Sequence, residues 1–199
     1  MTIIASSKPL AARAAFDHYP TPPWVCTVGV QLLASLGVDP RARVLDPGAG
    51  SGAWGQAARA QWPQASICGV DVRSLDVPPA YDTWRAADFL TFSDRPYHLV
   101  IGNPPYYQAE EFVRHSLRLL APGGYLLFLL RLAFLESHRR AVGLHREFPP
   151  KIVGVLASRI SFTHDGRSDD TPYALYCWQP DAAPGQTELR WLLKPGREP

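Results

Sequence analysis

A chain of 199 residues, 46% hydrophobic and 19% charged, has the length and composition of one globular domain in water. Its formal charge of +2 permits contact with nucleic acid without arguing for it, because only a local basic patch decides that. Cys26, Cys68 and Cys177 lack zinc or redox-motif spacing, no apolar run reaches membrane-span length, and residues 1–15 lack a signal core; the expectation is buried thiols, no metal, no membrane contact and a cytoplasmic protein.

After the small, alanine-rich residues 1–15 comes Phe16-Asp17-His18-Tyr19-Pro20-Thr21-Pro22-Pro23-Trp24, whose prolines demand an extended path into a helix predicted from Trp24 to Leu36, with Gly37 as its stop. Arg43-Val44-Leu45 reads as a strand running into Asp46-Pro47-Gly48-Ala49-Gly50-Ser51-Gly52 and then a helix over Ala53–Gln61. Glycines here let a ligand approach the main chain closely. Asp46 would repel a pyrophosphate but attract an ammonium, while amide N–H groups at the following helix start suit a carboxylate. Ser66–Asp71 is a second strand with an acidic end, placed about twenty residues beyond Gly52, where a carboxylate meets ribose hydroxyls in Rossmann-like folds. A third strand and its exit span Tyr81–Leu90.

The fourth strand, near Tyr97–Ile101, ends abruptly at Asn103-Pro104-Pro105-Tyr106, since proline cannot continue a central ladder. Beyond a strand's carboxyl end in an open α/β sheet is where ligands bind. The Asn103 side-chain oxygen and a carbonyl held by proline can both accept hydrogen bonds from an exocyclic amino group, and Tyr106 can stack on a flat ring. The same four residues also read as an ordinary Asn-Pro turn. A helix is predicted from Gln108 to Leu120, ended by Ala121-Pro122-Gly123-Gly124, then a buried strand over Tyr125–Leu130 and a helix over Arg131–Arg146. That last segment carries the most basic stretch, His138 to Arg146, which reads either as a solvated face or as a nucleic-acid contact. Ile152–Leu156 is a sixth strand, residues 159–170 a polar loop with Phe162, and Tyr173–Trp178 a strand at hairpin distance.

Asn103-Pro104-Pro105-Tyr106, with the glycine loop upstream, resembles the catalytic motif of class I S-adenosylmethionine (SAM)-dependent methyltransferases that modify amino or amide nitrogens, most closely the compact phage-type DNA N6-adenine methyltransferases. The likeness spans about Asp17 to Trp178. It implies that the lead-in, through Tyr19, Thr21 and Pro22, packs over the methionine end of SAM. It further implies that Asp46, Gly48, Gly50 and Gly52 hold that end, that Asp71 holds the ribose, and that Asp88 and Phe89 hold the adenine. Phe89 reads equally as plain core. Phe162 matches the aromatic beside a flipped base, or else folds back into the core.

The expected fold is therefore α/β, a Rossmann-like SAM-dependent methyltransferase domain over residues 1–180 with a mainly parallel seven-stranded sheet and an antiparallel last strand. Residues 181–199 form an extension with an edge strand near Leu189–Leu193 and a loose tail. The expected activity is methyl transfer from SAM to N6 of adenine in DNA, with Asn103, Pro104, Pro105, Tyr106 and Phe162 at the reacting base. Alternatives are the same chemistry on RNA, methylation of a protein glutamine, or a non-catalytic partner subunit. A second copy of the chain as partner is compatible with the sequence, and an inserted target-recognition domain is absent from it.

Overall fold

The computed structural model describes residues 20–73, 76–162, 170–181 and 186–196. Tyr19 and the 163–169 part of the polar loop lie outside these residues. Helix α1 (Pro23–Ser35) starts with proline in its first turn, where the missing N–H is not needed. Strand β1 (Arg43–Pro47) and helix α2 (Ala53–Gln61) flank the glycine loop. Strands β2 (Ser66–Asp71), β3 (Thr83–Ala86) and β4 (Tyr97–Gly102) precede helix α3 (Ala109–Arg118). Then come β5 (Leu120–Arg131), the short helices α4 (His138–Val142) and α5 (Leu144–Glu147), and strands β6 (Ile152–Leu156), β7 (Tyr173–Trp178) and β8 (Glu188–Leu192).

The strands form one sheet in the order β3-β2-β1-β4-β5-β7-β6-β8. The expected Rossmann-like architecture is present, and the edge strand expected near Leu189–Leu193 joins the seven as β8, making eight among the described residues. β7 alone among the described strands runs antiparallel to its neighbours, and β8 adds a parallel edge beside β6. One face of the sheet is covered by α1 and α2 through Val25, Leu33, Trp54 and Ala58. The other is covered by α3 and the 134–148 region through Phe112, Val113, Phe134 and Leu144. The central strands β1, β4 and β5 are buried on both sides, which explains their unbroken apolar runs.

Two expectations need correction. The helix predicted over Arg131–Arg146 is a single 3-10 turn, Leu132–Leu135, followed by α4 and α5. The Ser137 side chain caps α4, and Gly143 takes the non-helical pair φ −102°, ψ −97°, which separates α4 from α5. The Ala121–Gly124 turn is not a connection before the fifth strand but an irregularity within it. Tyr97 pairs with Leu120 and Leu99 with Tyr125, so the turn is looped out of the ladder.

β1 is hydrogen-bonded to β2 on one side and to β4 on the other, with Val44 opposite Leu99. The chain order reverses at this pair, so the loops leaving β1 and β4 diverge over a crevice at their carboxyl ends. The glycine loop and the Asn103 motif are thereby brought together from positions some fifty residues apart by number alone.

Candidate active site

A cleft of about 320 Å³ opens above β1, β2 and β4. Its floor is the glycine loop. Gly48 and Ala49 donate to the Val70 carbonyl at 2.7 and 3.1 Å, tying the loop to β2. Gly52 has φ +84°, and a Cβ there would stand 2.9 Å from Pro78 Cβ and 3.0 Å from the Tyr81 ring, so both conformation and space require glycine. Gly48, at φ +70°, faces Pro105 across the cleft, where an added Cβ would lie 3.9 Å from Pro105 Cδ.

The expected cofactor residues fall into three groups. Thr21, Gly48, Gly50, Asp71, Asp88 and Phe89 border the cleft. Pro22, Asp46 and Gly52 do not border it. Pro22 is the residue before α1, and its neighbour Pro20 lines the wall instead. Tyr19 is outside the described residues. Phe89 edges the cleft and also packs 4.8 Å from the Phe112 ring in the core. Asp88 is exposed and accepts from the Leu90 N–H at 2.9 Å, capping the 3-10 turn Phe89–Thr91.

Asp71 is buried, yet both of its oxygens are engaged. Oδ2 accepts from Gly50 N–H at 2.9 Å and from Arg73 Nη2 at 3.0 Å. Oδ1 accepts from Arg73 N and Nε at 3.0 and 2.9 Å. Burial pushes this carboxyl up, but the Arg73 side chain, two backbone N–H groups and the nearby positive charge outweigh it and hold it below its ordinary value. It is an anion at neutral pH, fixed to the glycine loop on one side and to Arg73 on the other. Arg73 went unread in the sequence; its position two residues beyond the strand-end Asp was the available signal.

Asp46 lies beneath the floor at 1% exposure. Its Oδ2 accepts from the Tyr81 hydroxyl at 2.6 Å, while Oδ1 has no hydrogen-bond partner among the described residues. Burial, with Asp71 adding its negative charge, pushes the carboxyl up to about 7 against the help of Tyr81. A buried carboxyl with an orphaned oxygen, directly under a cleft, is the kind of group that a cation above it would stabilise.

The motif at the end of β4 straddles two cavities. Asn103 and Pro105 border the cleft, and Pro104 is buried between them. Tyr106 turns to the other side and borders a second cavity of about 190 Å³ with Leu130, Arg131, Phe134 and Arg140. Tyr107, exposed at 59%, touches both. Tyr173 links Phe162 to Tyr106: the Phe162 and Tyr173 rings meet edge to face at 5.3 Å, and Tyr173 lies 5.8 Å from Tyr106. Phe162 also packs against the α1–α2 core, so its core reading holds. Sequence reasoning missed Tyr107 and Gln108, directly after the motif, and Trp54, two residues beyond Gly52; it also missed Arg131 and Tyr173, which the fold brings in from distant segments.

The basic residues are mostly committed within the protein. Arg114 bonds Glu110 at 3.2 Å and Glu147 at 2.9 Å, Arg139 bonds Glu110 at 2.8 Å, and Arg118 meets His115 at 3.0 Å. Among the described residues no group of acidic, histidine and cysteine side chains has the geometry of a metal site, and no helix is long and apolar enough to cross a membrane.

The profile of a family described as methyltransferase domain matches residues 26–154. No curated protein matches the chain. Among solved structures it is similar to a candidate class I SAM-dependent methyltransferase of Listeria monocytogenes, with 17% identity, a TM-score of 0.69, and coverage of 86% of this chain and 65% of that one. It is similar to a candidate RNA methyltransferase of Pyrococcus horikoshii, with 18% identity, a TM-score of 0.68, and coverage of 82% and 88%. It is also similar to a modification subunit of a candidate type I restriction enzyme of Vibrio vulnificus, with 15% identity, a TM-score of 0.63, and coverage of 91% and 48%. The chain thus spans just under two thirds of the Listeria protein and about half of the Vibrio subunit. At these identities the likeness is one of fold.

Proposed function

The chain belongs to the methyltransferase-domain family, and from that premise we propose that it transfers a methyl group from SAM to the N6 amino group of adenine in DNA. The cofactor SAM supplies a methyl group made electrophilic by a sulfonium. The residues present fit it. The cleft has the volume of a small-ligand site, its glycine floor admits close approach, an orphaned buried carboxyl underlies it, and Asp71 stands at the β2 end.

The observation that carries the acceptor assignment is the position of Asn103-Pro104-Pro105-Tyr106 between the two cavities. An adenine amino group is a poor nucleophile, because its lone pair is delocalised into the ring. Asn103 Oδ1 and the Pro104 carbonyl, as acceptors, would localise that pair and orient it towards the cleft. A strong base is not needed, since the methylated amine sheds its proton readily. The base has to leave its stack to reach this point. Tyr106 would offset the unstacking by contacting its face, at roughly 1–3 kcal/mol per aromatic contact. The deciding experiment supplies labelled SAM to separate DNA, RNA and protein pools. Label recovered as N6-methyladenine in DNA is the expected result; label confined to RNA or to glutamine would overturn the DNA assignment.

Asp71→Ala is expected to weaken SAM binding by about 1.5–3 kcal/mol, the range of a lost charge-assisted hydrogen bond. Asp71→Asn, which still accepts from the Gly50 N–H, should lose less. Calorimetry showing wild-type affinity in the alanine variant would remove Asp71 from the cofactor site.

Direct readout of several bases needs several side chains reaching groove edges, at about 1–3 kcal/mol for each bidentate contact. With Arg114, Arg118 and Arg139 held by neighbouring side chains, the described surface offers few such groups. The expected recognition site is relaxed or very short, and binding is steeply salt-dependent. Methylation mapping on random-sequence DNA checks this. Modification confined to one site of four or more defined bases, by a protein shown to be monomeric, would contradict it.

A further inference from the structure

We infer that the second cavity, behind Tyr106, is a phosphate subsite in which Arg131 and Arg140 hold the backbone phosphate next to the reacting nucleotide. The inference rests on the nucleic-acid reading above and sharpens it, because a protein substrate carries no backbone phosphate beside its glutamine.

Among the described residues, two guanidinium groups line this cavity of about 190 Å³ and no acidic side chain does. Both are held at aromatic rings. Arg131, the last residue of β5, has its Cζ 5.3 Å from the centroid of Tyr106. Arg140, on α4, lies 4.5 Å over the Phe134 ring, with Nε donating to the Phe134 carbonyl at 2.8 Å and Nη2 to the Ala133 carbonyl at 3.4 Å. These bonds orient the Arg140 fork while leaving its Nη1 donors unpaired among the described residues. A guanidinium stacked and hydrogen-bonded in this way is pre-organised for bidentate contact with a phosphate, which lysine could not reproduce.

The placement also suits a nucleotide. Tyr106 separates the cavity from the cleft that Asn103 borders, and Tyr107 edges both. Within one nucleotide the sugar separates base from phosphate. A base held at Asn103 and Tyr106 therefore sends its phosphate past Tyr106 towards the arginines. The broken helix matters here: α4 exists as a separate short element, and it is α4 that brings Arg140 to the end of β5.

The test uses single-stranded oligothymidylate carrying one adenine, prepared with all linkages charged or with one linkage replaced by an uncharged methylphosphonate. Binding is read by fluorescence anisotropy at fixed salt. The expected result is a loss of about tenfold or more when a linkage flanking the adenine is neutral, and little change when a distant linkage is neutral. In Arg131→Gln, whose side chain is at the surface, that difference should shrink, and in Arg140→Gln likewise. A wild-type protein that binds all the oligomers equally, or that shows the same flanking-linkage loss in both folded variants, overturns the inference. The ligand-side comparison needs no variant, so a misfolded Arg140→Gln leaves the test intact. Flanking-linkage dependence without N6-methyladenine formation would retain the subsite and sink the methylation reading; N6-methyladenine formation indifferent to the linkage would do the reverse.

Discussion

Asn103→Ala is expected to lower turnover by about 100-fold or more while leaving SAM affinity nearly unchanged, because the lost acceptor acts on the reacting amine and its hydrogen bonds tighten as charge develops there. The geometry makes the separation of effects testable. Asn103 leaves the end of β4 at the rim of the cleft, whereas the glycine floor and Asp71 belong to β1 and β2. Turnover and calorimetric SAM affinity, measured on the same preparation, decide it. An equal fall in cofactor affinity would make Asn103 a cofactor-facing or structural residue. Tyr106→Ala should also lose most activity and Tyr106→Phe much less, since its proposed contribution is the ring. A phenylalanine variant as inactive as the alanine one would assign the work to the hydroxyl.

Asp46→Asn is expected to stabilise the protein at neutral and higher pH while weakening its hold on SAM. In the folded chain the carboxyl is pushed up to about 7, against 3.8 when solvated. Between these values the folded state binds more protons than the unfolded one. The contribution to stability is therefore fully present below the unfolded value and is lost as pH rises towards 7, on the order of 4 kcal/mol in all. His145 acts in the opposite sense, because burial holds its imidazole below its ordinary 6.5, so stability gained from it rises with pH through that region. The difference between Asp46→Asn and wild type cancels the histidine. That difference should open between about pH 4 and 7 and then stay constant, reaching about ten degrees in Tm for a chain of this size. A gap identical at pH 5 and pH 8 would show that the carboxyl is not titrating there. Asn can still accept from the Tyr81 hydroxyl, so the variant tests charge rather than shape. Gain in stability together with loss of SAM affinity would mark Asp46 as a residue retained for binding at a cost in folding.

Much of the fold was legible because its signals are local. α2 over Ala53–Gln61, β2 over Ser66–Asp71, β6 over Ile152–Leu156 and β7 over Tyr173–Trp178 have the limits their sequence patterns predict. Apolar runs of strand length, and helix faces repeating every three or four residues, report backbone state directly. The segment from Arg131 to Arg146 misled for the same reason. Its leucines and arginines favour helix throughout, but Leu132 N–H is claimed by the Pro172 carbonyl and the side chain of Ser137 caps a new start. Tertiary hydrogen bonds outweighed a propensity worth only tenths of a kcal/mol per residue.

By itself the sequence determined that a glycine loop follows one buried strand and that Asn103-Pro104-Pro105-Tyr106 follows another, because proline and glycine act on the backbone at their own positions. It also placed the acidic strand ends Asp46 and Asp71. Only the tertiary structure decided how those residues divide the labour. Asp71 reached the wall with its charge held by Arg73, whereas Asp46 went beneath the floor with one oxygen unpaired. Only the fold set Tyr106 apart from Asn103 and put Arg131 and Arg140 behind it. Burial and charge pairing depend on what other segments pack against a residue, and those neighbours are tens of positions away in the chain.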